Sequence, residues 1–518
     1  MTSNKREKYL SSFISLVGHR RYTRTTHCAA EFNESTSGIS SVDTAVVGTT
    51  LKRKVGLFSA TAVVIGSVIG CGIFVSPSLV FRNSGSTGAS LLVWIGAGLM
   101  AIIYAFCMAE LGTLLPTSGG EYAYICAACD TLGRPGDYVV FMFSWTRILL
   151  GDALGAALQA LTFTSYALRL AYPTCEAPYA VTVLVAASFS TLATILNAIS
   201  VTVSTKLQNI LVVVKIVMLV CIIGTGIVAA ANGTNHLKAP FFNDDVSASG
   251  LTEAYFAAYM TMDGGSSICN LAEEIRNPSR VIPRALVFGV TTVMLMYIAT
   301  NLAYFVVLEP TAIASSETTA LTFAAKCWGP AGTAIVPLLA SVSTFGTLSA
   351  GFFSQSRLGF AAARRGHLPS ALRLVSAKSS VPVVSLVVRG ALSAAFTAVG
   401  SLESVVNSVM LLGIVFNLLT MLALLRLRCT MRDAPRPVKV PYFFIVVSFV
   451  VNLASVVMDL WKAADFYVLV VMMAVLFAGS VAYLVFQVYG CAMPGTSRMS
   501  MFLQKLFLSV PCRDSCIY

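Results

Sequence analysis

Long uninterrupted apolar runs are the feature that most constrains how this chain can fold. Two of them, Val287–Val307 and Phe466–Val488, contain no charged residue over their whole length. About twenty apolar residues in a helix cross a hydrocarbon core of about 30 Å. Only 11% of the 518 residues are charged, against about a quarter in soluble domains. We therefore predict an all-α integral membrane protein.

The apolar runs predict twelve transmembrane helices within residues 55–490. Residues 1–54 form a polar tail that we expect to be mostly disordered, and 491–518 form a C-terminal tail. The ninth and tenth runs follow each other almost directly. The predicted spans are 55–80, 88–114, 137–170, 178–203, 206–231, 250–273, 283–308, 331–355, 382–401, 403–426, 441–461 and 466–489.

Basic residues set the predicted orientation. They cluster in the N-terminal tail and in alternate loops, and the net charge of +12 comes largely from these clusters. Cytoplasmic loops of membrane proteins retain Lys and Arg, so both termini are predicted to be cytoplasmic. The same distribution argues against a nucleic-acid partner. The clusters lie at 52–54, 276–284, 357–373 and 426–439, whereas the opposite loops hold isolated cations such as Arg82, Lys238 and Lys326.

Glycines interrupt two of the predicted spans. The first span reads IGCGI at Ile69–Ile73, and the sixth reads MDGGS at Met262–Ser266. The two sites fall five spans apart at the same depth, which is typical of two inverted five-span repeats that each open with a broken helix. The alternative is that the glycines only permit close helix packing.

Two facing breaks would form a binding site for an amino-acid zwitterion. A broken helix exposes N–H groups, which attract an anion, and carbonyls, which attract a cation. We expect amides of the first break to face the substrate carboxylate and carbonyls of both breaks to face its ammonium. The predicted substrate-contacting residues of this backbone are Ile69, Gly70, Cys71, Gly72, Met260 and Thr261.

Two ionisable residues within the spans suggest specific roles. Asp263 lies in the second break and is predicted either to pair with a basic substrate side chain or to cap the following helix. Lys215 lies in the middle of the fifth span. Its ammonium is predicted to replace a bound sodium ion and to brace the fifth helix against the first, with snorkelling to the interface as the alternative.

Three other charged residues lie in the second and third spans. Arg147 and Asp152 are five residues apart, a spacing that does not stack them on one α-helical face, so each is expected to need another partner. Asp152 is predicted to face the substrate or to pair with Lys215. Glu110 lies near a helix end and is expected to be structural.

Other chemistry is not indicated by the sequence. The four histidines fall in tails, loops or helix ends, and no zinc spacing, phosphate-binding loop or nucleophile triad is visible. We expect no enzyme activity, cofactor or metal. Most of the thirteen cysteines are expected to be small buried hydrophobes. Asn232 begins a glycosylation sequon in a loop predicted to be outside.

Several motifs together resemble the L-type amino-acid transporters, the light subunits of heteromeric transporters in the amino acid-polyamine-organocation superfamily. The resemblance extends from about residue 55 to 490. The motifs that carry it are IGSVIGCGIF at 65–74, AELG at 109–112, SGGEYAY at 118–124, EEIRNP at 273–278, TNLAYF at 300–305, Ser356-Arg357 and GHLP at 366–369.

The resemblance implies a fold like the bacterial leucine transporter and obligatory amino-acid exchange without sodium at the plasma membrane. It also implies a single-span heavy-subunit glycoprotein, held by a disulfide from the loop after the third span. Cys175 is the residue that fits, with a free thiol as the alternative. The family's lysine in the fifth span corresponds to Lys215.

The sixth-span break departs from the family pattern. Met260 stands where many members have an aromatic residue, and Gly265 stands where they have tryptophan. Asp263 resembles the aspartate of the cystine and dibasic amino-acid exchangers, and Asp152 falls where several relatives have a basic residue. We therefore predict that arginine or lysine is accepted beside neutral amino acids, and Tyr259 is the candidate substitute for the missing aromatic.

Two other classes of protein remain as alternatives. A single-chain cationic amino-acid transporter would need no heavy subunit and would give Cys175 no role. A polytopic receptor or channel fits less well, because the span count is not seven and no selectivity-filter loop is visible.

Overall fold

The structure is a computed structural model that describes residues 53–511, except for 71, 173–176, 235, 237–240, 243–246, 317, 399–401, 462–465 and 491–495. The described chain is predominantly helical. In chain order its α-helices are α1 Leu57–Val68, α2 Gly72–Ser84, α3 Thr87–Leu114, α4 Glu121–Cys129, α5 Arg134–Thr146, α6 Asp152–Arg169, α7 Tyr179–Ile199, α8 Val201–Ala231, α9 Ala248–Thr261, α10 Pro278–Val307, α11 Pro310–Ala314, α12 Thr319–Arg364, α13 Val383–Thr397, α14 Leu402–Thr430, α15 Tyr442–Trp461, α16 Phe466–Tyr483 and α17 Thr496–Phe507.

Tighter or wider helical turns join several of these helices. The 3-10 segments are Asp130–Leu132, Gly265–Glu274 and Ser370–Arg373, and the π-helical segments are Arg147–Gly151 and Leu484–Val488. The short strands β1, Leu374–Ser376, and β2, Ser509–Pro511, form a two-stranded sheet, beside which the Ala377 N–H donates to the Leu508 carbonyl at 3.1 Å.

The helices agree with the predicted apolar runs, although fewer of them meet a strict length and hydropathy test. Among the described residues, seven helices are long and apolar enough to cross a membrane, and eight are if the bent pair α1 and α2 is one span. Shorter apolar helices cover Val383–Thr397, Tyr442–Val457 and Met472–Val488. The count of twelve spans therefore stays a prediction.

Serine side chains mark the beginnings of three helices. Ser86 accepts a hydrogen bond from the Ala89 N–H at the start of α3, and Ser247 accepts one from the Gly250 N–H at the start of α9. Ser200 caps α8 in the same way. Each bond satisfies a backbone donor that the first helical turn leaves unpaired, so these residues fix where the helices start.

Both predicted interruptions are real breaks in the backbone. Helix α1 ends at Val68, Ile69 is extended, and α2 starts at Gly72 with its axis bent by 46°. Helix α9 ends at Thr261, and the chain continues from Gly265 as a 3-10 segment rather than an α-helix. A first span running from 55 to 80 and a sixth from 250 to 273 are therefore each made of two pieces.

The two broken regions share neighbours in the helical core. Helix α9 packs on α2, and α10 packs on both α1 and α3. On the α10–α3 contact, a Cβ at Gly98 would lie 2.4 Å from Met294, and Trp94 meets Tyr297 edge to face. The Tyr297 hydroxyl, on α10, also donates to the Val68 carbonyl at the end of α1 at 3.2 Å.

Candidate functional site

The ends of the two breaks lie directly against each other. The Ser267 hydroxyl, in the 3-10 segment, donates to the Ser67 hydroxyl, in the last turn of α1, at 2.9 Å. Gly264 adopts a φ of +112°, and a Cβ there would lie 2.8 Å from the Ser67 carbonyl oxygen. A Cβ at Gly72 would lie 2.5 Å from the Thr261 side chain. Glycine fits both positions, because a Cβ at Gly264 would meet the Ser67 backbone and a Cβ at Gly72 would meet the Thr261 side chain.

The Lys215 ammonium lies at the C-terminal end of α1. The side chain is buried, and Nζ donates to the Gly66 carbonyl at 2.8 Å, to the Ile69 carbonyl, and to the Thr347 hydroxyl at 2.8 Å. These bonds join α8, α1 and α12. They use the three donors of the lysine, so Lys215 does not snorkel to the interface.

The backbone groups predicted to meet a substrate have partners inside the protein. The Ile69 carbonyl accepts from Lys215 and also from the Thr347 hydroxyl at 2.9 Å, so it would have to release one bond to receive a substrate ammonium. The Met260 carbonyl accepts a longer bond of 3.3 Å from the Asp263 N–H. Cys71, between Gly70 and Gly72, lies outside the described residues.

A small cavity opens between α3, α9 and the 3-10 segment. Its polar lining consists of Asp263, Tyr104, Tyr259 and Ser266, and it has room for about one water molecule. Asp263 is not the cap of the following segment, because the N-cap residue is Gly264 and no side chain caps the segment there. The site is closed as it stands, and an amino acid requires the surrounding helices to separate.

Tyr259 stands one residue before the position where many family members carry an aromatic. It is buried, lines the cavity beside Asp263 and stacks on Tyr255 with ring centroids 5.9 Å apart. Met260, at the family position, is only partly buried. Tyr259 is therefore the aromatic residue of this segment that the structure places at the cavity.

The cavity wall continues into a chain of buried charges, of which only Arg147 and Asp152 stood out in the sequence. The Glu121 carboxylate accepts from the Ser266 hydroxyl at 3.2 Å and lies 3.4 Å from Arg147 Nη1. Arg147 Nε donates to Asp152 at 3.1 Å, and Asp152 lies 4.0 Å from Arg389 Nη1. In the sequence, Glu121 stood out only as part of the SGGEYAY motif, and that motif did not indicate a role for Glu121.

The expectation that Arg147 and Asp152 do not meet is wrong. The segment between them, Arg147–Gly151, is π-helical, and the Asp152 N–H donates to the Arg147 carbonyl five residues earlier. In a π-helix, residues five apart stack along one face, whereas in an α-helix they do not. Asp152 therefore pairs with Arg147, not with Lys215, and it lines a separate small cavity with Arg389 and Gln355.

Other buried ion pairs are structural. Glu110 is fully buried and is held by Arg428, by Arg436 at 2.9 Å and by the Val440 N–H at 2.8 Å, which agrees with its expected structural role. Arg357 and Glu274 form a fully buried bidentate pair with distances of 2.7 and 3.2 Å. This pair ties α12 to the end of the second break.

Known proteins resemble this chain over most of its length. The family model described as amino acid permease matches residues 55–492. The chain is 32% identical over 466 residues to b(0,+)-type amino acid transporter 1 of Mus musculus, which covers 89% of this chain and 94% of that relative. It is 33% identical over 419 residues to large neutral amino acids transporter small subunit 2 of Homo sapiens, which covers 80% of this chain and 77% of that relative.

Proposed function

Because the chain belongs to the amino acid permease family, we propose that it exchanges amino acids across the plasma membrane without sodium, as the light subunit of a disulfide-linked heterodimer. Amino-acid transport itself follows from the family and from the relatives, which are amino-acid transporters and which this chain matches over most of their length. The observation that carries the proposal is the contact between the two helix breaks at Ser67 and Ser267.

The proposed architecture has twelve spans in two inverted five-span repeats, followed by two further helices. The eight apolar candidates, the three shorter apolar helices and the broken pair of α9 with Gly265–Glu274 add up to twelve. The two broken elements would then be the first and sixth spans, each opening one repeat. This arrangement puts unwound backbone where protein, not lipid, surrounds it.

The proposed substrates are neutral and cationic amino acids. Asp263 lies on the cavity wall beside three hydroxyls, and no Lys or Arg is among the residues that line this cavity. The nearby Arg147 is already paired between Glu121 and Asp152. The ammonium or guanidinium of a cationic substrate would therefore pair with the Asp263 carboxylate. Gly70, Gly72, Met260 and Thr261 would offer their backbone to the zwitterion, with Ile69 after it releases a bond.

Counter-flow in proteoliposomes tests this function. The purified chain is reconstituted in vesicles preloaded with unlabelled arginine or leucine, and uptake of labelled arginine is followed with choline in place of sodium. We expect uptake that requires the preloaded amino acid and is insensitive to sodium. Equal uptake into empty vesicles would contradict exchange, and loss of uptake in choline would contradict sodium independence.

The proposed partner is a single-span heavy-subunit glycoprotein joined through Cys175, which lies outside the described residues. The name of the human relative, a small subunit, supports a heteromeric assembly. In cells that express a heavy subunit, we expect a band on non-reducing gels that collapses with reductant and is missing in Cys175→Ser. A chain that transports arginine but shows no such band would instead be a single-chain cationic amino-acid transporter.

The chain is a multi-pass membrane protein. We propose that both termini are cytoplasmic, because the basic clusters around residues 276–284, 357–373 and 426–439 then lie on the cytoplasmic side. The loop with Asn232 would lie outside. Protease access to terminal tags in sealed cells tests this orientation.

A further inference from the structure

Helix α17 is a short helix that follows the last apolar helix and lies against the helical core. Its sequence contains Arg498 and Lys505 and no acidic residue. One face, with Leu503 and Phe507, is partly buried against the core, and the helix packs on the 3-10 segment Ser370–Arg373. The position of α17 is therefore set by protein contacts on this face.

The side of α17 next to this covered face is apolar and exposed. Met499, Phe502 and Leu506 are 57, 62 and 57% exposed. Their spacing of three and four residues puts them on one side of the helix. Lys505 is exposed next to them. Leu508, directly after α17, accepts a backbone hydrogen bond from Ala377. The next residue, Lys378, is exposed, so a further cation lies near the end of the helix.

The chain length limits how far α17 lies from the bilayer. Only seven residues lie between Val488, at the end of the last apolar segment, and Thr496, where α17 begins, so eight Cα–Cα steps join them. Even fully extended, they reach about 28 Å. The residue before Lys378 bonds to Leu508, which follows the helix, and this loop comes directly after the basic cluster 357–373, which is cytoplasmic in the proposed orientation.

We propose that α17 lies in the plane of the membrane and docks Met499, Phe502 and Leu506 on a surface of anionic lipids. A helix with an apolar face bordered by lysine or arginine enters the boundary between headgroups and acyl chains. Each cation near an anionic surface adds to the attraction, and α17 has no acid to oppose it. The choice of the cytoplasmic leaflet rests on the proposed orientation, but the docking does not.

Tryptophan quenching in nanodiscs tests this proposal on the full chain. The Phe502→Trp variant is compared with Phe507→Trp, its matched control on the covered face, after subtraction of the wild-type signal. Discs contain brominated phosphatidylcholine with or without phosphatidylserine, and iodide reports access from water. Leu506→Trp provides a second reporter on the uncovered face if one variant is unstable.

We expect the added fluorescence of Phe502→Trp to be quenched by brominated lipid more than that of Phe507→Trp, and more strongly when phosphatidylserine is present. Adding Lys505→Glu and Arg498→Glu should remove the effect of phosphatidylserine. Quenching of Phe502→Trp by iodide but not by brominated lipid would overturn the proposal and favour a protein partner. Quenching that is the same with and without phosphatidylserine would also overturn it.

Discussion

The ammonium of Lys215 donates a hydrogen bond to the Gly66 carbonyl at 2.8 Å and so fastens the middle of α8 to the last turn of α1. The lysine fills the end of a broken helix, where unpaired carbonyls attract a cation. These contacts support the bracing of the fifth span against the first, and the replacement of a bound sodium ion by Lys215 stays a prediction.

Removing this ammonium should impair exchange and can reveal a sodium requirement. Lys215→Ala leaves the buried Gly66 carbonyl without this donor, at a cost of about 1–3 kcal/mol, and leaves the Ile69 carbonyl with the Thr347 hydroxyl alone. We expect little exchange in choline and partial recovery in sodium. Lys206→Ala, at an exposed position of the same helix, is the control and should behave like the wild type. Exchange by Lys215→Ala at the wild-type rate in choline would contradict this role.

The glycines at the breaks should not tolerate a methyl group. Gly72→Ala forces a Cβ against Thr261. Gly264→Ala places a Cβ against Ser67 and also puts an alanine in a left-handed backbone conformation that strains it. Overpacking of this kind costs about 1–3 kcal/mol, and we expect both variants to lose most exchange.

The matched control is Gly224→Ala on α8, where nothing lies within 4 Å of the added Cβ. It should retain normal exchange. A second change, Thr261→Ala, should partly rescue Gly72→Ala because it removes the nearest atoms. Normal exchange by Gly72→Ala would show that the two breaks do not need this close contact.

Asp152 and Asp263 should respond differently to neutralisation. Asp263→Asn should reduce arginine uptake much more than leucine uptake, because Asp263 lines the cavity. Asp152→Asn leaves Arg389 without its carboxylate and Arg147 with Glu121 alone, and breaking a buried pair costs about 3–5 kcal/mol. We therefore expect a lower unfolding temperature and equal losses for both substrates.

Two measurements distinguish a substrate-binding role from a structural one. They are the uptake of labelled arginine and of labelled leucine, and the thermal unfolding of each variant in detergent. A stable Asp152→Asn protein that loses only arginine uptake would mean that Asp152 contacts the substrate. Arginine uptake unaffected by either substitution would refute a role for both acids in accepting cationic amino acids.

Two neighbouring arginine–glutamate pairs should differ in their contribution to stability. The Arg357–Glu274 pair is fully buried, whereas the side chains of Arg364 and Glu273 are 14% and 23% exposed. Arg357→Ala should cost about 3–5 kcal/mol, because it leaves an uncompensated buried carboxylate. Arg364→Ala should cost less, because Glu273 reaches solvent and keeps the hydrogen bond from the Ser118 N–H. Equal shifts in the unfolding temperature would contradict this ranking.

The sequence predicted the features that depend on local composition. The apolar runs predicted the helices, the glycines at 70–72 and 264–265 predicted both breaks, and the motifs predicted the transporter family, which the family match confirms. These signals are strong because lipid tolerates neither charges nor open backbone except at defined places.

The features that depend on tertiary packing were not predicted. The π-helical turn before Asp152 brings Asp152 to Arg147, and the amino-acid composition does not predict a single wide turn. Glu121 is part of a motif before a short helix, and only the folded chain brings it to Ser266. The short helices α4 and α17 lie outside the apolar runs, so hydropathy gave no reason to expect them.

The central claim is that an amino acid binds between two broken helices that face each other, and paired cysteines test it most directly. Because the Ser67 and Ser267 hydroxyls are 2.9 Å apart, the double substitution Ser67→Cys with Ser267→Cys should form a disulfide under mild oxidation. We expect this disulfide to abolish exchange, saturating arginine to slow its formation, and neither single variant to show either effect. A double variant that forms no disulfide, or forms it at the same rate with and without arginine, would contradict the account.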